Sequence, residues 1–140
     1  MNYKGAILKY SNITGGILNA FYKKVYSRLG YGFREQVYEN SMAHELRKLG
    51  FKVEQQRPIN VYYDGIVVGQ YFSDLVVNAK VIVELKAAKS IVPEHEAQLL
   101  NYLRATPYEV GMLLNFGPKA EHKRKVFDND KKKSNTWTQN

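Results

Sequence analysis

The 140-residue chain contains no cysteine. Disulfide staples, thiolate zinc sites, iron–sulfur clusters and a cysteine nucleophile are therefore excluded. It also lacks a long hydrophobic run. No stretch reaches the ~18–20 apolar residues of a membrane span. The opening MNYKGAILKY does not read as a signal peptide, so a cytoplasmic protein without a membrane partner is expected. There is no internal repeat. Hydrophobic residues make up 44% and charged residues 24%, close to globular averages, which excludes wholesale disorder. One domain is expected over residues 1–127, followed by a disordered basic tail over 128–140.

Acidic charge is scarce: 21 Lys and Arg face 13 Asp and Glu, giving a net charge of +8. The excess lies in the flanks. Residues 1–33 carry Lys4, Lys9, Lys23, Lys24 and Arg28 and no acid, and residues 117–140 carry seven bases against Glu121, Asp128 and Asp130. The middle is close to neutral and holds the other ten acids. A basic balance of this kind points to a polyanion partner. Lys23, Lys24, Arg28, Arg34, Lys123, Arg124 and Lys125 are the candidate phosphate contacts.

Ile17, Leu18, Phe21, Val25 and Leu29 recur at helical spacing, and Val37, Met42, Leu46 and Leu49 form the apolar side of a second helix ending at Gly50. The period then changes. Phe51 to Tyr63 and Ile66 to Val77 read as strands joined at Asp64-Gly65, a strong hairpin signal. Val81 to Ala87 is a third strand, the helix from Pro93 to Arg104 a crossover, and Glu109 to Asn115 a covered strand parallel to the third. Lys123 to Phe127 can add a last strand. The expected fold is α/β, a mixed four- to five-stranded sheet flanked by helices on both faces.

Glu84 and Lys86 are two apart on one strand and share a face. Counting back from the turn at 78–80, Asp74 falls beside Glu84 on the neighbouring strand. Two adjacent carboxylates repel unless a cation lies between them, and a hard divalent ion takes oxygen ligands in such a place. A structural ion pair on a solvated face is the alternative for Glu84 and Lys86. Glu35, one turn into the second helix, is either a site acid or an acid placed for the helix dipole. Gln98 and Tyr102 are i, i+4 neighbours on the later helix, either bracing a site or bounding the buried leucines beside them.

The segment Gly32-Phe33-Arg34-Glu35-Gln36-Val37-Tyr38, with Asp74, Val83-Glu84-Leu85-Lys86, the run His95 to Leu103 and Leu114-Asn115-Phe116-Gly117, resembles the GxxExxY protein family, a branch of the PD-(D/E)XK nuclease-like superfamily. The resemblance covers about residues 13–127. It implies a restriction-endonuclease-like core in which Asp74 and Glu84, with the Leu85 carbonyl, bind Mg²⁺ or Mn²⁺. Glu35 would hold a water on that ion or a second ion, and Lys86 would position the nucleophile. Gln98 and Tyr102 look like the Q-x-x-x-Y element of RecB-like nucleases. One departure is Ser73, where the superfamily's name has proline. The implied activity is metal-dependent phosphodiester hydrolysis, with DNA favoured over RNA. The alternatives are a nucleic-acid-binding module without turnover and an assembly subunit with the Tyr-rich strands at 61–72 as an oligomer contact; for a nuclease this small, a homodimer that presents two sites is a further expectation.

Overall fold

The computed structural model describes residues 8–133. The first helix starts at α1 (Ser11–Asn19), continues through a π-helical stretch, Ala20–Tyr26, and ends in the turn Ser27–Leu29. Then follow α2 (Glu35–Lys48), β1 (Val53–Tyr63), β2 (Ile66–Val77), β3 (Val81–Lys86), α3 (Pro93–Arg104), β4 (Val110–Phe116) and β5 (Ala120–Val126). The five strands form one sheet in the order β1-β2-β3-β4-β5, with β3 and β4 parallel and every other neighbour antiparallel. This is the mixed, helix-flanked sheet expected from the sequence. The last strand starts at Ala120, three residues earlier than the reading of Lys123 to Phe127 placed it.

Local chemistry sets the element ends. Gly50 takes φ 92°, its N–H donates to the Arg47 carbonyl and that of Phe51 to the Leu46 carbonyl, the paired bonds of a glycine-terminated helix. Phe51 then lies so close to Gly16 that a Cβ there would meet its ring at 2.5 Å, which locks the end of α2 onto the first helix. Asp64 and Gly65 both have positive φ, 57° and 75°, as a two-residue hairpin turn requires.

The sheet buries both faces. Ile17, Phe21, Tyr38, Met42 and Leu46 from the first helix and α2 cover Leu75, Val77, Val81, Val83, Leu85, Met112 and Leu114. Leu99 and Leu103 of α3 cover Ile59, Val76, Ile82 and Leu113 on the other side. Gly111 permits that contact, since a Cβ there would meet Leu99 at 2.7 Å. Every residue of β4 is buried, which explains its apolar run.

Before Leu75 the β1–β2 hairpin parts from β3 and crosses to the α3 side, where Ile59 is buried and the Tyr62 N–H donates to the Ala105 carbonyl at 3.3 Å. Tyr63, Ile66, Val67, Val68 and Phe72 are exposed on the hairpin, while Tyr71 turns inward against the α3 cluster. In place of the disorder expected from Asp128 onward, residues 128–133 are seated on the body. Asp128 pairs with Lys9 at 2.8 Å, and the Lys132 ammonium donates to the carbonyls of Thr106 and Tyr108, both at 2.7 Å. The rest of the expected tail, 134–140, and Lys4 lie outside the described residues.

Candidate active site

The β2–β3 register runs Val77↔Val81, Val76↔Ile82, Leu75↔Val83, so Asp74 and Glu84 are the next residues along, where the two strands part. The ladder is replaced there by a side chain: the Leu85 N–H donates to Asp74 Oδ2 at 2.8 Å. Gln56 Nε2 donates to Asp74 Oδ1 at 3.1 Å. Burial raises the Asp74 pKa above the usual carboxylate range, these two hydrogen bonds oppose the rise, Glu39 adds to it and Lys86 subtracts.

Glu84 lies on the α3 side with Ile82, as strand alternation dictates. Its pKa is pushed up to about 8, first by burial and then by the Asp74 charge, with Glu35 adding a smaller push. Ser73 and Lys86 pull the other way. Glu84 Oε2 is buried with no hydrogen-bond partner. Tyr71 and Tyr102 stack beside it, centroids 3.6 Å apart and planes 8° from parallel. Both phenols are raised, mainly by burial and next by the Glu84 charge. The Tyr71 hydroxyl is likewise buried without a partner. Lys86 is half-buried and, among the described residues, forms no ion pair within 4 Å.

The glycine-to-tyrosine motif before α2 places Glu35. Tyr38 is fully buried, stacks on Phe116 at 4.1 Å and donates its hydroxyl to the Gly30 carbonyl at 2.9 Å. The same oxygen accepts the Phe33 N–H at 3.2 Å. Gly30 and Gly32 take φ 65° and 111°, which lets the loop fold around that hydroxyl. The helix thereby delivers Glu35 to the end of β3, where its Oε2 accepts the Ala87 N–H at 3.3 Å. Asn115 fixes the same segment from β4. Its Oδ1 accepts the Ala88 N–H at 2.9 Å and its Nδ2 donates to the Ala88 carbonyl at 3.0 Å. Gly117 must lack a side chain because a Cβ would collide with the Ala88 carbonyl.

The structure thus brings together Glu35, Asp74, Glu84, Lys86 and Tyr102. Gln98 is exposed on α3, one turn before Tyr102. His95 serves the helix end, its Nδ1 accepting the Val92 N–H at 3.3 Å. The basic candidates are dispersed. Lys23 and Lys123 are exposed and Arg34 precedes α2. Lys24 and Arg28 line a groove of about 350 Å³ with His44 and Glu45 that does not reach the acids. Arg28 pairs with Glu45 at 3.6 Å and Lys125 with Glu96 at 2.8 Å, and Arg124 donates to the Lys9 carbonyl. Sequence reasoning missed Gln56, Asn115 as a clamp and Tyr71. Only the family motif around Asn115 gave a signal, and it carried no role.

The donor chemistry fits a hard divalent cation. Glu84 offers an orphaned oxygen and Asp74 stands beside it, two carboxylates whose mutual repulsion a cation would remove. Among the described residues no three or more His, Asp or Glu side chains are gathered as a ligand set. Mg²⁺ needs no such set, because it is bound through one or two carboxylates and retains several waters.

The sequence profile of the PD-(D/E)XK nuclease superfamily matches residues 11–126. Among solved structures, SSO0001 is similar over 85% of this chain and 60% of its own, at 15% identity and a TM-score of 0.51. An alkaline exonuclease from Laribacter hongkongensis is similar over 69% of this chain and 57% of its own, at 11% identity and a TM-score of 0.48. The chain therefore spans less than two thirds of the length of either protein. No curated protein matches it. No helix of the described residues is long and apolar enough to cross a membrane. With its motifs in order on the expected elements and the profile matched from the first helix to the last strand, the chain belongs to the PD-(D/E)XK nuclease superfamily.

Proposed function

We propose that this chain is a divalent-metal-dependent nuclease that hydrolyses phosphodiester bonds in DNA. The observation that carries this reading is the half-buried Asp74–Glu84 pair, with Glu84 Oε2 buried and unsatisfied and Lys86 beside it on the same strand face. Asp74 and Glu84 would hold Mg²⁺ or Mn²⁺, with the Leu85 carbonyl as a further ligand and Glu35 at the rim of the site. When bound, the ion supplies positive charge against the growing charge on the phosphate and lowers the pKa of a water beside it. The Lys86 ammonium, a compact donor with three N–H groups, orients the attacking water and offsets charge on the phosphoryl oxygens. Tyr102 and Tyr71 wall off Glu84 from bulk water on the α3 side. Gln98, exposed one turn away, contacts substrate or its waters. Lys23, Lys24, Arg34 and Lys123 grip phosphates without regard to sequence. Arg28, Arg124 and Lys125 add to that grip only after leaving their present partners.

The GxxExxY resemblance supports the same assignment of roles. The test is a panel of linear, nicked, branched and single-stranded DNA and RNA incubated with Mg²⁺ or Mn²⁺, beside Glu84→Ala. Metal-dependent cleavage that the variant lacks supports the reading, and the panel assigns DNA or RNA. Equal cleavage by the purified variant overturns it.

A further inference from the structure

Gln56 lies opposite Asp74 in the β1–β2 register, flanked by the bridged pairs Gln55↔Leu75 and Arg57↔Ser73, yet the two do not pair through the backbone. Its φ is 50°, a left-handed conformation that residues with a Cβ seldom adopt in mid-strand. The faces of the hairpin exchange at this point. Val53, Leu75 and Val77 face the first helix and α2, whereas Ile59 and Tyr71, which plain alternation would put with them, face α3. The kink takes both Gln56 and Asp74 out of the ladder and turns their side chains toward each other.

The Gln56 amide then spans two carboxylates. Its Nε2 donates to Glu39 Oε1 at 2.7 Å and to Asp74 Oδ1 at 3.1 Å. Glu39 is itself fixed: it is 5% exposed, and its Oε2 accepts from Gln55 Nε2 at 2.8 Å. Gln55 Nε2 also reaches Asn40 Oδ1 at 2.8 Å. A continuous chain of hydrogen bonds thus runs from α2 through Gln56 to Asp74 and on to the Leu85 N–H of β3.

We propose that Gln56 is a positioning residue for the cation site: its amide, anchored by Glu39, sets the orientation of the Asp74 carboxylate for metal binding. The chemistry of the donor supports this. A side-chain amide offers two N–H groups and no charge, so it holds Asp74 in place without neutralising it. A lysine or arginine here would orient Asp74 equally well and would compete with the cation for it. Glu39 behind the amide keeps the region negative, which favours a cation further. Partners of this kind, one step removed from a ligand, change metal affinity by about 10–100-fold when removed.

This inference rests on the proposed metal site, and the experiment separates the two. Mn²⁺ affinity is measured by calorimetry on the whole chain, with metal-free thermal stability measured alongside, for wild type, Asp74→Asn, Gln56→Met and Gln56→Gly. Methionine keeps the length and the backbone demand of Gln56 but has no donor. Glycine lacks the donor and accepts the positive φ. The expected result is about a tenfold loss of Mn²⁺ affinity in both Gln56 variants, with Gln56→Gly the more stable of the two without metal. Affinity that tracks the amide while stability tracks the backbone is what a purely structural residue cannot produce. Wild-type affinity in Gln56→Met overturns the positioning role alone. Absence of Mn²⁺ binding by wild type, or full binding by Asp74→Asn, overturns the metal site itself.

Discussion

Glu39 and Glu84 are both carboxylates carried into the body of the protein, and the structure treats them in opposite ways. Both Glu39 oxygens receive amide donors, from Gln55 and Gln56. Glu84 keeps one oxygen with no partner, and its neighbours are a second carboxylate and two stacked phenols. A buried charge without hydrogen bonds costs several kcal/mol or gives up its charge. Glu39 avoids that cost with neutral donors from its own chain. Glu84 leaves one oxygen unsatisfied, and on the proposed function a cation would satisfy it. Two acids can therefore look alike in a sequence and differ in whether the fold has completed their hydrogen bonding.

The sharpest way to break the comparison is to remove each charge. Glu84→Gln should cut metal-dependent cleavage by about 10³-fold or more, in the range seen when a transition-state-stabilising group is lost, while the metal-free protein stays folded. Cleavage rates and circular dichroism of the same samples check this. Should Glu39→Gln lose as much activity as Glu84→Gln, the division between a satisfied and an unsatisfied acid would fail.

Lys86 comes next. It shares the strand face of Glu84, and its charge opposes the rise in both site carboxylates. Lys86→Met should reduce the cleavage rate by about 10²-fold, the scale of one positioned proton donor. Mn²⁺ affinity should hold or rise slightly, since a like charge beside the ion is gone. Weaker Mn²⁺ binding in the variant would contradict a role toward water and phosphate.

Glu39 itself predicts a stability effect. Glu39→Ala leaves the Gln55 and Gln56 amides one acceptor short each and should cost about 1–3 kcal/mol, seen as a melting temperature lower by roughly 5 °C. Glu84→Ala should cost less in the absence of metal, because one of the oxygens it removes had no partner to lose and the other loses only Ser73. The reverse ranking in metal-free thermal melts would show that Glu84, too, is held by the protein.

Much of this site could be read from the chain before folding, and the rest could not, for physical reasons. Asp74 beside Glu84 followed from counting residues around a tight turn, because antiparallel register is local arithmetic. The shared face of Glu84 and Lys86 followed from the period of two along a strand, and Gly50 from the demand for positive φ at a helix end. Gln56 was invisible because nothing in a run such as Glu54-Gln55-Gln56-Arg57 announces a left-handed residue in mid-strand. Tyr71 was hidden by the same kink, which exchanges the faces of the hairpin and turns inward a ring that composition placed on an exposed surface. Residues 128–133 look like a tail by composition. Three lysines in a row say nothing about the Thr106 and Tyr108 carbonyls that the α3–β4 loop presents to Lys132. Net charge misled in a similar way, since Arg28 and Lys125 are already paired with Glu45 and Glu96.

The smallest expected effect, and the one that separates the two acids most directly, is in pH. Glu84 titrates near 4.5 in the unfolded chain and at about 8 in the fold. Below 4.5 it is protonated in both states, so its contribution to stability is fully present. Between 4.5 and 8 the unfolded chain releases the proton and the folded protein keeps it, so stability falls as pH rises. Above 8 the buried charge has formed beside Asp74 and the loss is complete. Asp74, also raised, adds to the decline in the same direction. Metal-free wild type should therefore lose on the order of 1–2 kcal/mol between pH 5 and pH 9 relative to Glu84→Gln, allowing for water access and relaxation. Glu39→Gln should keep the Glu84 part of the slope, because that acid is still there, and lose only the part of the Asp74 rise that the Glu39 charge supplies. Mn²⁺ should restore wild-type stability more at pH 8.5 than at pH 5.5, since at the lower pH it must displace a proton. Denaturant melts across this range, with EDTA and with Mn²⁺, decide the matter: parallel curves for wild type and Glu84→Gln would mean that Glu84 has found a partner within the protein after all.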